Sequence, residues 1–231
     1  MAEMIEFTIG NTTTTALVAL PKTPGPHPGV VVSFHHQGLD GPTADDVDHL
    51  AAEGFGAIAP NHYHVIPDGV DLKQRRLYLT DEQYAVDFRA AAEWLVAQGC
   101  DRSRLAILGH CAGGRATWVG LEGCPDLWRC GCVWYGGGAL RQMGSLPSPF
   151  ERLGEIRSPV TGFFGNIDKN PSPEDVDKFD AALTRFGVLH EFHRYDGADH
   201  AFTNHTGHRY NEKATTDSWT KAIAFMRKHC V

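Results

Sequence analysis

Short apolar segments alternate with amphipathic segments along almost the whole chain, and this alternation most restricts the possible fold. Runs of β-branched and apolar residues between turn residues predict strands at residues 14–20, 30–34, 55–60, 105–108, 130–135, 160–165 and 190–195. Helical spacing of apolar residues predicts helices between these strands. The order predicts a single α/β domain over residues 1–231, with a mostly parallel central sheet and helices on both faces.

Capping signals set the expected starts of three helices. Thr43 is expected to cap a helix with Asp45 and Asp46 in its first turn. Thr80 and Gln83 form a possible capping box. Ser172 followed by Pro173 predicts an N-cap and a first helical position. A final helix is predicted from a stripe of apolar residues from 219 to 226.

The charge balance and hydropathy exclude several classes of partner. The 231 residues contain 21 basic and 28 acidic side chains, a net charge of −7, so no basic surface for nucleic acid or anionic lipid is expected. No segment approaches the roughly 20 apolar residues of a membrane span, and the N-terminus does not resemble a secretory signal. The six cysteines are therefore expected to be reduced thiols in a cytoplasmic protein.

The segment from Gly109 to Gly114, Gly-His-Cys-Ala-Gly-Gly, directly follows a predicted strand and begins a predicted helix. This is the setting of a Gly-x-nucleophile-x-Gly turn, in which glycines allow a tight, strained backbone and the nucleophile stands above the sheet. The helix N-terminus beneath it favours a thiolate. Cys111 is therefore the candidate nucleophile; the alternative is a structural cysteine beside a glycine turn.

A cysteine nucleophile requires a base, and the base requires an orienting acid. Asp168 and His200 each follow a predicted strand, so both are expected at the edge of the sheet where Cys111 lies. Asp196 and Asp199 are close to the histidine in sequence but are more typical of turn residues.

Cys111 in this turn, with Asp168 and His200 in these places, resembles the dienelactone hydrolase family of the α/β-hydrolase fold. The resemblance runs from about residue 30 to the last helix. It implies a compact chain without a large cap domain, and hydrolysis of a small lactone or ester through a thioester intermediate without a cofactor. It also implies an oxyanion hole made by the backbone N–H groups of Ala112 and His36.

The sequence departs from the family pattern at two places. The position that aligns with a family glutamate next to the resting thiol is His35, and an imidazole there predicts a thiol that is more permanently ionised. Asn204 stands where the family has an arginine that binds the substrate carboxylate. Arg76 or Arg75 could take the role of that arginine. Further side chains are expected to contact substrate at the pocket: His35, His62, Tyr63, His64, Trp134 and Tyr135.

Two other functions remain open at this point. His35, His36, His62 and His64 follow neighbouring strands and could hold a metal in a metal-dependent hydrolase or oxygenase. In an extended segment, His62 and His64 would point the same way. A non-catalytic relative used for binding is the third class. The expected partner is a small-molecule lactone or ester, and the chain could be a monomer or a small homo-oligomer.

Overall fold

The computed structural model describes residues 1–71 and 73–231, without the side chain of Arg76. It contains one eight-stranded sheet with the strand order β1-β2-β4-β3-β5-β6-β7-β8. The strands are β1 Glu3–Ile9, β2 Thr12–Ala19, β3 His27–Ser33, β4 Gly56–Pro60, β5 Cys100–His110, β6 Cys130–Trp134, β7 Val160–Gly165 and β8 His190–Tyr195. Strands β3 to β8 pair in parallel, whereas β1 and β2 pair antiparallel at one edge. The predicted α/β class is thereby confirmed.

Helices cover both faces of the sheet. They are α1 Gly41–Ala52, α2 Asp81–Ala97, α3 Ala112–Gly123, α4 Pro149–Arg152, α5 Pro173–Phe186 and α6 Glu212–Cys230. Apolar residues of α2, α3 and α5 form the core on one face, and those of α1 and α6 form the core on the other. Between β6 and β7 the described residues form only α4 and a 3-10 turn, Leu153–Glu155, so no large cap interrupts the sheet.

Three local predictions differ from the structure. Helix α1 begins at Gly41, because the Asp40 side chain accepts a hydrogen bond from the backbone N–H of Thr43 and takes the capping position expected for Thr43. Thr80 caps α2 as predicted, but the Gln83 side chain donates to Asp87 instead of closing a capping box. His62–Val65 is a 3-10 turn and not an extended segment.

Strand β1 was not predicted, although its residues alternate between exposed and buried near its end. It pairs only with β2, so much of it faces solvent and its apolar signal is weak. Among the described residues, no helix is both long and apolar enough to cross a membrane.

Candidate active site

Cys111 occupies a sharp turn between β5 and α3. Its backbone has φ 57° and ψ −116°, a positive-φ conformation that an L-residue adopts only under constraint. The constraint comes from both neighbours: the Cys111 N–H donates to the carbonyl of Trp134 on β6 at 3.1 Å, and its own carbonyl accepts from Arg115 in the first turn of α3 at 3.0 Å. The turn projects the sulfur away from the sheet edge at the beginning of a helix.

Two flanking glycines are required by close packing rather than by flexibility. A Cβ added at Gly109 would lie 2.4 Å from the carbonyl oxygen of Gly113. A Cβ added at Gly113 would lie 1.9 Å from the carbonyl oxygen of Ser33 at the end of β3. Both distances are far below van der Waals contact, so the helix can approach the sheet only without these side chains. This approach also brings the N-terminus of α3 next to the loop that follows β3.

Asp168 and His200 reach the same edge through two loops that touch. A Cβ added at Gly165, the last residue of β7, would lie 2.2 Å from the carbonyl oxygen of Ala198. The N–H of Ile167 donates to that same carbonyl at 3.1 Å, which fixes the two loops together. The N–H of Asn170 donates to Asp168 Oδ1 at 2.8 Å and leaves Oδ2 for the histidine.

The three side chains form a continuous hydrogen-bonded chain. Cys111 Sγ lies 2.9 Å from His200 Nε2, and His200 Nδ1 lies 2.9 Å from Asp168 Oδ2. Asp168 is buried, whereas Cys111 and His200 are partly exposed at the cleft. An imidazole in this position can exchange a proton with the sulfur while the carboxylate holds its orientation.

The surroundings of Cys111 and His200 favour the proton on the imidazole rather than on the sulfur. Burial opposes ionisation of Cys111, but hydrogen bonds and charge from His200 and His36 outweigh it and lower the pKa of Cys111 from 9.0 to about 6. Burial also disfavours a charged His200, but hydrogen bonds to Asp168 and Cys111 raise its pKa from 6.5 to about 10. Near neutral pH the resting pair is therefore a thiolate and an imidazolium.

The second imidazole next to the thiol is His36, not His35. Hydrogen bonding to Cys111 is the main reason that the pKa of His36 is raised above 6.5. His35 Nε2 instead lies 3.0 Å from Asp40 Oδ1, at the N-terminus of α1. The expected imidazole beside the sulfur is present one residue later than predicted, because Asp40 binds the first of the two histidines.

His62, Tyr63 and His64 are not among the residues that line the cleft. His62 Nδ1 and His64 Nε2 bind the two carboxylate oxygens of buried Asp87, at 2.8 and 3.0 Å. The hydroxyl of Tyr63 donates to the carbonyl of His36 at 2.5 Å and so supports the loop after β3 from behind. The three residues therefore lie outside the cleft, where Tyr63 supports the loop after β3 and the two histidines bind Asp87 on α2.

The remaining expected pocket residues lie at different places. Tyr135 lines the cleft, but its ring packs edge-on against His200 with centroids 5.1 Å apart and its hydroxyl is bound to Thr203. Asn204 also lines the cleft, and its Oδ1 accepts from the backbone N–H of Thr206 at 3.0 Å. Trp134 is fully buried in the core, and the side chain of Arg76 lies outside the described residues.

The four histidines proposed as a metal cluster do not converge. His35 and His36 lie at the cleft, whereas His62 and His64 turn to Asp87 on α2. Within the described part of the chain, no group of three or more histidine, cysteine or acidic side chains has the geometry to hold a metal ion.

A cleft of about 830 Å³ opens from Cys111 and includes residues beyond those that the sequence indicated. His110, Asp46 and Trp219 line it and were not predicted as site residues. His110 directly precedes the candidate nucleophile Cys111, so its place in the motif could have indicated it. Asp46 and Trp219 lie on helices far apart in sequence, and only the packing of α1 beside α6 reveals them.

Comparison with known proteins gives consistent matches over almost the full chain. Residues 14–230 match the model of the dienelactone hydrolase family. A protein of Escherichia coli O157:H7 named "Putative carboxymethylenebutenolidase" is 29% identical over 220 residues, covering 91% of this chain and 81% of that protein. A Methylorubrum extorquens protein of the same name is 28% identical over 224 residues, covering 92% and 76%.

Solved structures give the same result. The crystal structure of "Putative Dienelactone Hydrolase" from Klebsiella pneumoniae has a TM-score of 0.89 and 29% identity, with 99% of each chain covered. A "Dienelactone Hydrolase-like Promiscuous Phospotriesterase" from metagenomic libraries has a TM-score of 0.82 at 23% identity, covering 99% of this chain and 98% of that one, and supports the fold alone. The chain belongs to the dienelactone hydrolase family and has its α/β-hydrolase fold.

Proposed function

We propose that this protein hydrolyses a small lactone or carboxylic ester by covalent catalysis, with Cys111 as nucleophile, His200 as acid and base, and Asp168 as the group that orients His200. The observation that supports the proposal most strongly is the unbroken chain of 2.9 Å contacts from sulfur to imidazole to carboxylate. Membership of the family supports the ester or lactone bond as the target.

The reaction begins from the ion pair of thiolate and imidazolium. The Cys111 thiolate attacks the carbonyl carbon, and the electron pair of the C=O bond moves to oxygen. When that pair returns, the C–O bond to the leaving group breaks and His200 gives its Nε2 proton to the departing alkoxide. The acyl group is then held on sulfur as a thioester. Neutral His200 takes a proton from water, the hydroxide attacks the thioester, and the carboxylic acid leaves as the C–S bond breaks.

We assign the oxyanion hole to the backbone N–H groups of Ala112 and His36. Ala112 is the first residue of α3, so its N–H has no acceptor within the helix. His36 lies in the loop that packs against the start of that helix, and the Tyr63 hydroxyl fixes this loop through the His36 carbonyl. Each donor aimed at a developing oxyanion contributes about 3 kcal/mol in comparable enzymes.

Alkylation provides the test. Cys111 is the one cysteine of six that is not buried, so iodoacetamide should add a single group per chain and abolish hydrolysis of p-nitrophenyl acetate in proportion. Cys111→Ala should take up no group and have no turnover, and EDTA should have no effect. Activity that survives full alkylation would contradict the covalent mechanism, and inhibition by EDTA would support a metal instead.

A further inference from the structure

The cleft continues from Cys111 into a groove between α1 and α6. The residues of α1 and its C-cap that line it recur at helical spacing, from Pro42 through Asp46 and His49 to the C-cap Glu53. The lining residues of α6 recur in the same way, from Thr215 through Trp219 to Arg227. Each helix therefore presents one continuous face to the same space.

The groove is long compared with a five-membered lactone. Both helices begin at the sheet edge that carries Cys111, since α1 follows the loop after β3 and α6 follows the loop of His200. The lining residues of α1 from Thr43 to Glu53 span ten helical steps, about 15 Å. At the far end, Arg227 Nη2 lies 2.7 Å from Glu53 Oε2, so an ion pair joins the two helices there.

The charges along the groove disfavour an anionic ligand. Arg209 and Arg227 are the basic side chains among the described lining residues other than histidine, and each faces a carboxylate: Arg209 Nε lies 3.5 Å from Asp199 and Arg227 pairs with Glu53. Asp45 adds negative charge beside the opening. Among the described lining residues, a substrate carboxylate would find no arginine or lysine without a carboxylate neighbour.

The walls are suited to an uncharged, apolar group. Trp219 is held edge-on against His49 and tilted against Trp134, with ring centroids 4.9 and 5.0 Å apart, so it forms a fixed flat surface. Ile223 and Ala224 continue this surface along α6. The ring of His110 lies next to Trp219, with centroids 5.8 Å apart, and burial lowers its pKa to about 3, so that imidazole is neutral near pH 7.

We propose that the groove between α1 and α6, along Trp219 and Ala224, binds an elongated, uncharged apolar chain of the ester substrate. This inference rests on the proposed hydrolase function and specifies its substrate class: neutral esters with an extended alkyl or aryl group, rather than compact dianionic lactones. Trp219 and Ala224 are the residues that determine this specificity.

The kinetic test compares chain lengths on both sides of the ester bond. In one of two substrate series we expect kcat/KM to rise at least tenfold with chain length. The first series lengthens the acyl chain of p-nitrophenyl esters from acetate to octanoate, and the second lengthens the alcohol of alkyl acetates up to octyl. The series that rises identifies which half of the ester lies in the groove. Ala224 is exposed, so Ala224→Phe should fill the groove without disturbing the core and should remove this rise. Lys228→Phe, an exposed position on the same helix outside the groove, should retain it. A flat profile in both series, with the acetate hydrolysed, would overturn the groove proposal and leave the proposed hydrolase function intact.

A binding measurement does not depend on turnover. In calorimetry with Cys111→Ala protein, octanamide should bind at least tenfold more tightly than octanoate, and Ala224→Phe in the same background should abolish octanamide binding. Equal or tighter binding of the carboxylate would overturn the inference of an uncharged ligand. Octanamide binding combined with no Cys111-dependent hydrolysis of any ester would instead refute the proposed function, and with it the assignment of the groove to an ester substrate.

Discussion

The exposed imidazole of His36 should control part of the ionisation of Cys111. His200 and His36 together lower the pKa of this thiol from 9.0 to about 6 against the opposing effect of burial. His200 makes the larger contribution through both its hydrogen bond and its charge. His36 is exposed, so water screens its charge, and we expect His36→Gln to raise the pKa of Cys111 by about half to one unit, or about 1 kcal/mol.

The assay is a pH titration of thiolate absorbance in the ultraviolet, with the Cys111→Ala spectrum subtracted to remove the other five thiols. His36→Gln keeps the backbone N–H that we assign to the oxyanion hole, so only the side-chain effect is measured. His35→Gln is the matched control, because that ring binds Asp40 and should leave the midpoint unchanged. A wild-type midpoint near 8.5, or an equal shift in both variants, would refute the reasoning.

Three further predictions concern the pH dependence of hydrolysis, the packing of Gly113 and the buried carboxylate of Asp87. The kcat/KM for a neutral ester should rise with an apparent pKa of about 6 as Cys111 ionises and fall near pH 10 as His200 loses the proton that the leaving group needs; a plateau that extends unchanged to pH 4 would contradict this. Gly113→Ala should lower the free energy of unfolding by about 3 kcal/mol or more, because its Cβ would overlap a backbone carbonyl of β3, whereas Gly41→Ala, with open space around it, should change little in the same denaturation assay. Asp87→Asn should cost about 3 kcal/mol, since it leaves two histidines of the buried network without their carboxylate. Burial opposes ionisation of Asp87, but the histidines outweigh it and hold its pKa below 3.8. The difference in unfolding free energy between wild type and Asp87→Asn should therefore have its full value above pH 4 and shrink as the pH falls through the lowered pKa. Urea unfolding at several pH values would measure it.

The sequence predicts the candidate catalytic edge well because each of its elements has a local signal. Cys111 lies in a glycine turn between a strand and a helix, and Asp168 and His200 each follow a short apolar strand. Parallel strands place their carboxyl ends together, so local signals at three distant places predict one cluster. The structure places these side chains within hydrogen-bonding distance of one another.

The contacts of His35, His62 and His64 could not be predicted, because they depend on acidic side chains at α1 and on α2. Asp40 and Asp87 lie at the beginning of α1 and in the middle of α2, and they bind His35 and His62 respectively. The sequence predicts the cap of α1 at Thr43, three residues after the actual cap Asp40. With that boundary, nothing indicates that Asp40 lies where it can bind His35. No residue spacing distinguishes a histidine that faces a cleft from one that is bound to a buried carboxylate.

Two separate features of this chain favour an uncharged substrate. The first is the loop after β3, where the resemblance implies a family glutamate and this chain has two histidines, one of which stabilises the thiolate. A thiol that is already ionised needs no charged group on the substrate to take or displace its proton. The second is the groove, whose two arginines are paired with carboxylates of the protein itself. An anionic substrate would meet arginines whose charge is already offset by carboxylates of the protein, whereas a neutral chain only has to replace water along Trp219. An uncharged substrate therefore suits both the resting charge of Cys111 and the charges of the surface that leads to it.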